Sequence, residues 1–342
     1  MTAERRVSLF DNTRISAFKV CPRYFYFAHV RHWQPEEKSP ALAFGAAWHE
    51  GQDVLWRRAA ETLDKKKRKS VIEEIAEAFT RSWIENGMLP PDEMSPDDIE
   101  MLGARTPQNA IEMYYDYMDA REHIFSDPSF KVISIERPFA VPLSPDDPTL
   151  FYIGRLDKEF SYRNQTLCAE HKTTTSYKRN GPFRNDFIDQ FSVSSQIDGY
   201  IYALRMEHGD KAAGVWIDGT LVHKSERGSK FIPESRSDEQ LDSWLWETFG
   251  WLDGIFGNLA ALAERKDDDT DYLPAFPRNT NSCTQYGRCR YLDICRVVAN
   301  PEKLPEPPLG YKTNPWSPFS TIKLEKLGFK VENTTEPLKA AP

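Results

Sequence analysis

No stretch of this chain approaches the roughly 20 consecutive apolar residues that a membrane-spanning helix needs, so a membrane role is not expected. The opening residues, MTAERRVSLFDNTR, lack an apolar segment of signal-peptide length, which argues against export. An excess of positive charge is missing as well. The 44 Lys and Arg stand against 52 Asp and Glu, a formal charge of −8. That balance speaks against a protein wrapped all over in nucleic acid, although charge can still be segregated into a groove. There is no G-x-x-x-x-G-K-[ST] phosphate loop, so any unwinding of a duplex would have to come from a partner. Close cysteine pairs two to four residues apart, the usual structural zinc pattern, are absent, and so are internal repeats. Five cysteines in a chain that is not exported read as ligands or buried thiols rather than as a disulfide framework.

What is present changes period along the chain. Residues 13–30 and 41–62 carry bulky side chains at helical spacing, the second stretch containing His49. The run DKKKRKS reads as a solvated basic helix end or loop. Helices are expected near 71–86 and 97–125, separated by a loop rich in proline and acid. KVISIERPFAV, LFYIGRLDKEFSY and QTLCAEHKTTT then alternate and carry β-branched residues, which predicts three strands in an antiparallel meander. FIDQFSVSSQIDGYIYALRMEHG returns to helix, AAGVWIDGTLVHK to strand, and residues 237–265 to helix. From Pro301 prolines crowd the chain without an apolar period, which predicts an extended, disordered tail.

On a strand, residues two apart share a face, so Glu170 and Lys172 in AEHKTTT project together while His171 points the other way. Asp157, in GRLDKEF on the preceding strand, comes beside Glu170 if the turn between the strands is short. Two carboxylates and a bound water suit Mg²⁺ or Mn²⁺, hard cations that prefer oxygen ligands. Such an ion polarises a phosphate and acidifies its water, and Lys172 would orient the nucleophile and offset charge in the transition state. His49 offers a further nitrogen ligand. Gln196 and Tyr200 share one face of the following helix, where the glutamine could position Lys172 and the tyrosine could touch a phosphate or stack on a base. The ordinary alternatives are a surface ion pair at Glu170 and Lys172, a structural histidine, and a helix face packed on the sheet.

Cys21 stands alone near the start, and Cys283, Cys289 and Cys295 recur late with five residues between neighbours. A [4Fe–4S] cluster takes four thiolates, and these residues supply them. Zinc on the same four sulfurs is the competing reading. Cys168, in the alternating run TLCAEHK, reads as a small core side chain on a strand.

The order CPRYFYF, GAAWH, GRLD, AEHKTTT, QIDGY and C-x5-C-x5-C resembles the PD-(D/E)XK nucleases of the RecB type. Within them it is similar to the branch with a four-cysteine iron–sulfur cluster, which includes the AddB C-terminal domain and the CRISPR-adaptation nucleases. The resemblance implies an α/β (α+β) fold: a central mixed sheet flanked by helices, a restriction-endonuclease-like core with an N-terminal helical elaboration. It implies a helical part over 1–130 carrying Cys21 and His49, a core with the cysteine cluster over 131–298 that forms one structural unit with it, and the tail over 299–342. It also implies that His49, Asp157, Glu170 and the backbone carbonyl of His171 bind a divalent metal. Asp157, Glu170, Lys172, Gln196 and Tyr200 would form the catalytic set, with Glu136 in support. Cys21, Cys283, Cys289 and Cys295 would hold the cluster. The implied activity is metal-dependent exonuclease cleavage of single-stranded or end-exposed DNA in recombination, repair or replication. The implied setting is the cytoplasm of a bacterial or phage-infected cell, with a helicase or a recombination or annealing protein as partner. A scaffold of the same fold without cleavage, or a nuclease that trims CRISPR spacers, are the alternatives.

Overall fold

The computed structural model describes residues 8–37, 39–147, 149–178, 181–264, 270–285 and 287–316. In chain order the elements are β1 (Ser8–Phe10), α1 (Asn12–Val20), α2 (Pro22–Phe25), β2 (Trp33–Pro35), α3 (Pro40–Arg57), α4 (Ala59–Thr62), α5 (Lys65–Glu85), α6 (Pro96–Leu102) and α7 (Pro107–Phe125). They continue as β3 (Lys131–Pro142), β4 (Leu150–Tyr162), β5 (Gln165–Thr174), α8 (Asn185–Asp189), α9 (Ser195–His208), β6 (Ala212–Leu221), β7 (Ser229–Glu234), α10 (Asp238–Ala263), α11 (Leu292–Val297) and β8 (Tyr311–Thr313). The chain divides into two compact units of interleaved segments. One comprises Lys38–Phe139 and Arg155–Ser237, the other Met1–Glu37, Ala140–Gly154 and Asp238–Pro342.

The first of these units holds a mixed sheet. β4 and β5 run antiparallel in the register Lys158↔Ala169 to Tyr162↔Gln165, and β3 pairs with β4. Arg163 and Asn164 close the β4–β5 hairpin with φ of 49° and 66°. Two positive φ values in a two-residue loop match the right-handed twist of the strands it joins, which fixes the register. β5 and β6 are parallel, with Glu170 opposite Ile217, and β7 returns antiparallel to β6. A parallel pair needs a crossover, and α9 lies between β5 and β6 in the chain to provide it.

The helices α3, α5 and α7 bury their apolar faces in a single core with this sheet. Phe44, Trp48, Leu55 and Trp56 from α3 meet Val71, Ile75 and Phe79 from α5, Met113, Tyr114 and Tyr117 from α7, and Phe160 and Leu167 from the strands. The apolar spacing of three and four along each helix produces these stripes. Asp64 caps the start of α5 by accepting from the Lys66 N–H, so the basic DKKKRKS run forms the first two turns of a helix, with its four lysines exposed.

In the other unit β1 runs parallel to the start of β4, from Ser8↔Leu150 to Phe10↔Tyr152. Helix α1 lies against α10, where Gly254 leaves room for the Phe18 ring. The proline-rich segment is not wholly without structure: Pro301–Lys303 forms a 3-10 turn, and β8 pairs antiparallel with β2 from Trp33↔Thr313 to Pro35↔Tyr311. The part of the expected tail from residue 317 onward lies outside the described residues. Among the described residues no helix is long and apolar enough to cross a membrane.

Candidate active site

The β4–β5 ladder ends at Lys158↔Ala169, so Asp157 and Glu170 are the next residues of the two strands, and the side chains of helices α3 and α9 complete the constellation. Asp157 Oδ2 accepts the backbone N–H of His171 at 3.0 Å and lies 3.3 Å from Nδ1 of His49 on α3. Glu170, almost fully buried, receives Lys172 Nζ at 2.6 Å and Gln196 Nε2 at 2.9 Å, both on Oε1. Lys172 Nζ also donates to Gln196 Oε1 at 3.2 Å, and Gln196 Nε2 reaches the Tyr200 hydroxyl at 3.1 Å. His49, Asp157, Glu170, Lys172, Gln196 and Tyr200 are therefore gathered in one place.

Glu136 belongs closer in than its sequence suggests. One donor atom each from His49, Glu136 and Asp157 lie within 4.8 Å of one another, the tight donor group among the described residues. A glutamate on a strand ordinarily faces solvent, but Glu136 has a φ of 52° within β3, a left-handed conformation rare for a non-glycine residue. Such a backbone feature in a strand re-aims a side chain and recurs beside active sites. Arg155 Nε holds the Glu136 carboxylate at 2.5 Å, and Lys158 Nζ stands 3.9 Å away.

Carboxylates gathered this way disfavour one another's ionisation. Burial first, and the neighbouring charge of Asp157 second, push Glu136 up to about 7 and raise Glu170 as well. Asp157 goes the other way: burial works against its ionisation, but His49, Lys158 and His171 outweigh it and bring it down to about 2. Burial lowers His49, against the pull of Asp157, which favours the neutral imidazole that a metal takes. Burial also pulls on Lys172, yet Glu170 and Asp157 hold its pKa above the usual value, so it stays an ammonium.

The residues fit a hard divalent cation on two counts. Oε2 of Glu170 is buried with no hydrogen-bond partner, and the donor set is carboxylates with one imidazole. Crowded anions of this kind become tolerable when a cation sits among them.

Behind the site, on the opposite face of β5, lies a network that the sequence does not announce. The His171 side chain is fully buried with Nδ1 3.1 Å from Oδ2 of Asp218 on β6. Asp218 also bonds Arg121 and the Tyr117 hydroxyl, both from α7, and Trp56 Nε1 donates to that hydroxyl at 3.0 Å. Burial opposes the Asp218 charge, but Arg121 and His171 hold its pKa down at about 2. Lys158 is likewise buried and pairs with Asp53 of α3 at 2.5 Å. One turn of α3 thus carries His49 toward Asp157 and Asp53 toward the next residue of the same strand.

In the other unit, Cys21 occupies the junction of α1 and α2, its extended backbone ending one helix and starting the next at Pro22. Its Sγ accepts the Asn279 backbone N–H at 3.2 Å, and Asn279 Nδ2 donates to the Val20 carbonyl at 2.9 Å. The Cys289 N–H donates to the Cys283 carbonyl at 2.9 Å, and Cys295 lies on α11. All are free thiols. Burial raises Cys289 and Cys295, and the other cysteines nearby, Cys21 and Cys283, push both the same way. Cys168 is buried within β5, as a small core side chain.

A model of the PD-(D/E)XK nuclease superfamily matches residues 12–296 of the sequence. No curated protein matches it. Among solved structures, the crystal structure of SSO0001 is similar over 56% of this chain and 74% of that one, with 12% identity and a TM-score of 0.24.

Proposed function

The chain belongs to the PD-(D/E)XK nuclease superfamily, and on that premise we propose that it is a metal-dependent DNA exonuclease acting on single-stranded or end-exposed DNA. The observation that carries this reading is the gathering of His49, Glu136 and Asp157 within 4.8 Å of one another, with the Glu170–Lys172 pair 2.6 Å apart beside them. His49, Glu136, Asp157 and Glu170 would hold Mg²⁺ or Mn²⁺, with the His171 carbonyl as a further ligand. Bound there, the ion would polarise the scissile phosphate and acidify a water.

The chain's own residues do the rest. Lys172, kept as an ammonium by Glu170, offsets charge that builds on the phosphoryl oxygens in the transition state and orients the attacking water. Gln196 bridges the pair, accepting from Nζ of Lys172 and donating to Oε1 of Glu170, and Tyr200 holds Gln196. The Asp157–His171 bond fixes the register of β4 and β5 at the point where their carboxylates meet. In the other unit, Cys21, Cys283, Cys289 and Cys295 would hold a [4Fe–4S] cluster that staples distant parts of the chain, with no part in the chemistry. DNA is the substrate, and recombination, repair or replication is the setting in which exposed ends arise.

The test is cleavage of end-labelled single- and double-stranded DNA with Mg²⁺ or Mn²⁺ by the wild type and by Lys172→Ala and Asp157→Ala. Both variants should lose cleavage while keeping the wild-type fold and metal-cluster absorbance. Equal activity of Lys172→Ala and the wild type would overturn the assignment.

A further inference from the structure

Helix α3 keeps a glycine that neither its backbone nor its packing requires. Gly45 lies in the interior of Pro40–Arg57, and a Cβ placed on it would meet nothing within 4 Å among the described residues. Glycine is one of the poorest residues for a helix interior, because the unfolded chain has more freedom to lose there than with alanine. The helix's other interior glycine, Gly51, has its reason: a Cβ there would overlap the ring and hydroxyl of Tyr114. Gly45 has no such neighbour. It faces a cavity of about 670 Å³ whose wall it shares with His49, Glu136 and Lys172.

Resting on the nuclease reading, we propose that Gly45 leaves α3 bare so that one strand of the substrate lies directly against the helix backbone, one turn before His49. Residues four apart share a helix face, so a strand seated on Gly45 is led to His49 and the donors around it. The rest of the cavity suits a nucleotide. Arg105, Arg155 and the hydroxyls of Thr173 and Thr175 line it and can donate to phosphate oxygens, the contacts that position a nucleic acid without reading its sequence. Leu42, also on its wall and 65% exposed, offers an apolar surface for a sugar or base. A cavity of this size takes a drug-sized ligand, room for a nucleotide of one strand. A methyl group at Gly45 would stand where the strand must lie.

The inference has an uncommon signature, since the same substitution should strengthen the helix and weaken the substrate. The full-length holoprotein is compared with Gly45→Ala and Gly45→Val, and with Gly250→Ala as control. Gly250 lies inside α10, where a Cβ would also meet nothing within 4 Å. Thermal midpoints are measured alongside steady-state cleavage of a labelled single-stranded oligonucleotide with Mn²⁺. Gly45→Ala should melt above the wild type yet show a KM raised at least tenfold, with a smaller change in kcat, and Gly45→Val should raise KM further. Gly250→Ala should melt higher with KM within twofold of the wild type. A Gly45→Ala protein whose KM stays within twofold overturns the inference. A lowered melting point does the same, since it would reveal a packing reason for the glycine. A wild type that cleaves no DNA overturns the nuclease reading itself, an outcome distinct from either.

Discussion

Two carboxylates of the site, Asp157 and Glu136, titrate in opposite directions, and the contrast makes a test at single-residue resolution. The folded pKa of Asp157 is about 2 against an ordinary 3.8. The stability it lends is therefore present above pH 3.8 and lost as pH falls through about 2. Glu136, raised from 4.5 to about 7, works the other way: its contribution is full below 4.5 and is lost as pH rises through about 7. Above that pH the site carries an ionised glutamate pressed against an ionised aspartate, and a divalent cation should take over what the proton did. Mg²⁺ or Mn²⁺ is expected to raise the melting temperature more at pH 8 than at pH 5.5, with Glu136→Gln removing most of that difference in a thermal-shift series. A metal increment independent of pH in the wild type would contradict it. For activity, Lys172→Ala should lower kcat by a factor on the order of 10²–10⁴, the range for a positioned group that acts in the transition state. The sequence carries Asp157, Glu170 and Lys172 legibly because strand alternation places them. It hides the place of Glu136, since a left-handed φ at a non-glycine residue leaves no mark on composition or period.

At the scale of elements, α3 and β5 are held in register by contacts on the side away from the substrate. Tyr114 of α7 stacks on Trp48 with ring centroids 4.1 Å apart and donates its hydroxyl to the Trp48 carbonyl at 2.7 Å, one residue before His49. Gly51 admits that ring, so Gly51→Ala should destabilise the fold by about 1–3 kcal/mol through overpacking, read from the urea midpoint, and displace His49 with a fall in activity. This is the reverse of the expectation for Gly45 in the same helix. Beneath β5, the fully buried Arg121–Asp218 pair and its partners Tyr117 and His171 hold the strand that carries Glu170 and Lys172. Removing one member leaves a charge buried and unpaired, so Asp218→Ala or Arg121→Met should cost about 3–5 kcal/mol by chemical denaturation. A change under about 0.5 kcal/mol, the usual range for surface positions, would show that the pair does not hold β5. The long elements were legible because they repeat over many residues. The three-residue strands β1, β2 and β8 were not, because so short a segment has no period. Asp218 was not, because nothing in VWIDGTL says that an arginine from helix α7 will meet it.

Across the whole molecule, chain order and spatial grouping diverge, and the cysteines show why. Cys21 comes before the sheet and Cys283, Cys289 and Cys295 after it, yet all four fall in the compact unit built from Met1–Glu37, Ala140–Gly154 and Asp238–Pro342. Residue spacing alone discloses that four thiols exist and that three are close in sequence, whereas the return of the chain to Cys21 depends on how α1, α2 and the segment around Asn279 pack. A metal centre joining residues so far apart restrains the unfolded chain by about 5 kcal/mol on a loop-entropy argument. Cys289→Ala should therefore lose the absorbance near 400 nm expected of a [4Fe–4S] centre and melt far below the wild type, while Lys172→Ala keeps both colour and melting temperature. Metal analysis separates the candidates for the centre: about four iron per chain with inorganic sulfide supports the cluster, and one zinc per chain with no visible absorbance replaces it with a tetrahedral thiolate site. A protein that contains neither, and whose melting is unmoved by Cys289→Ala, would remove the staple altogether. The nuclease assignment would stand apart from that result, because its donors are carboxylates and an imidazole supplied by α3, β3, β4 and β5.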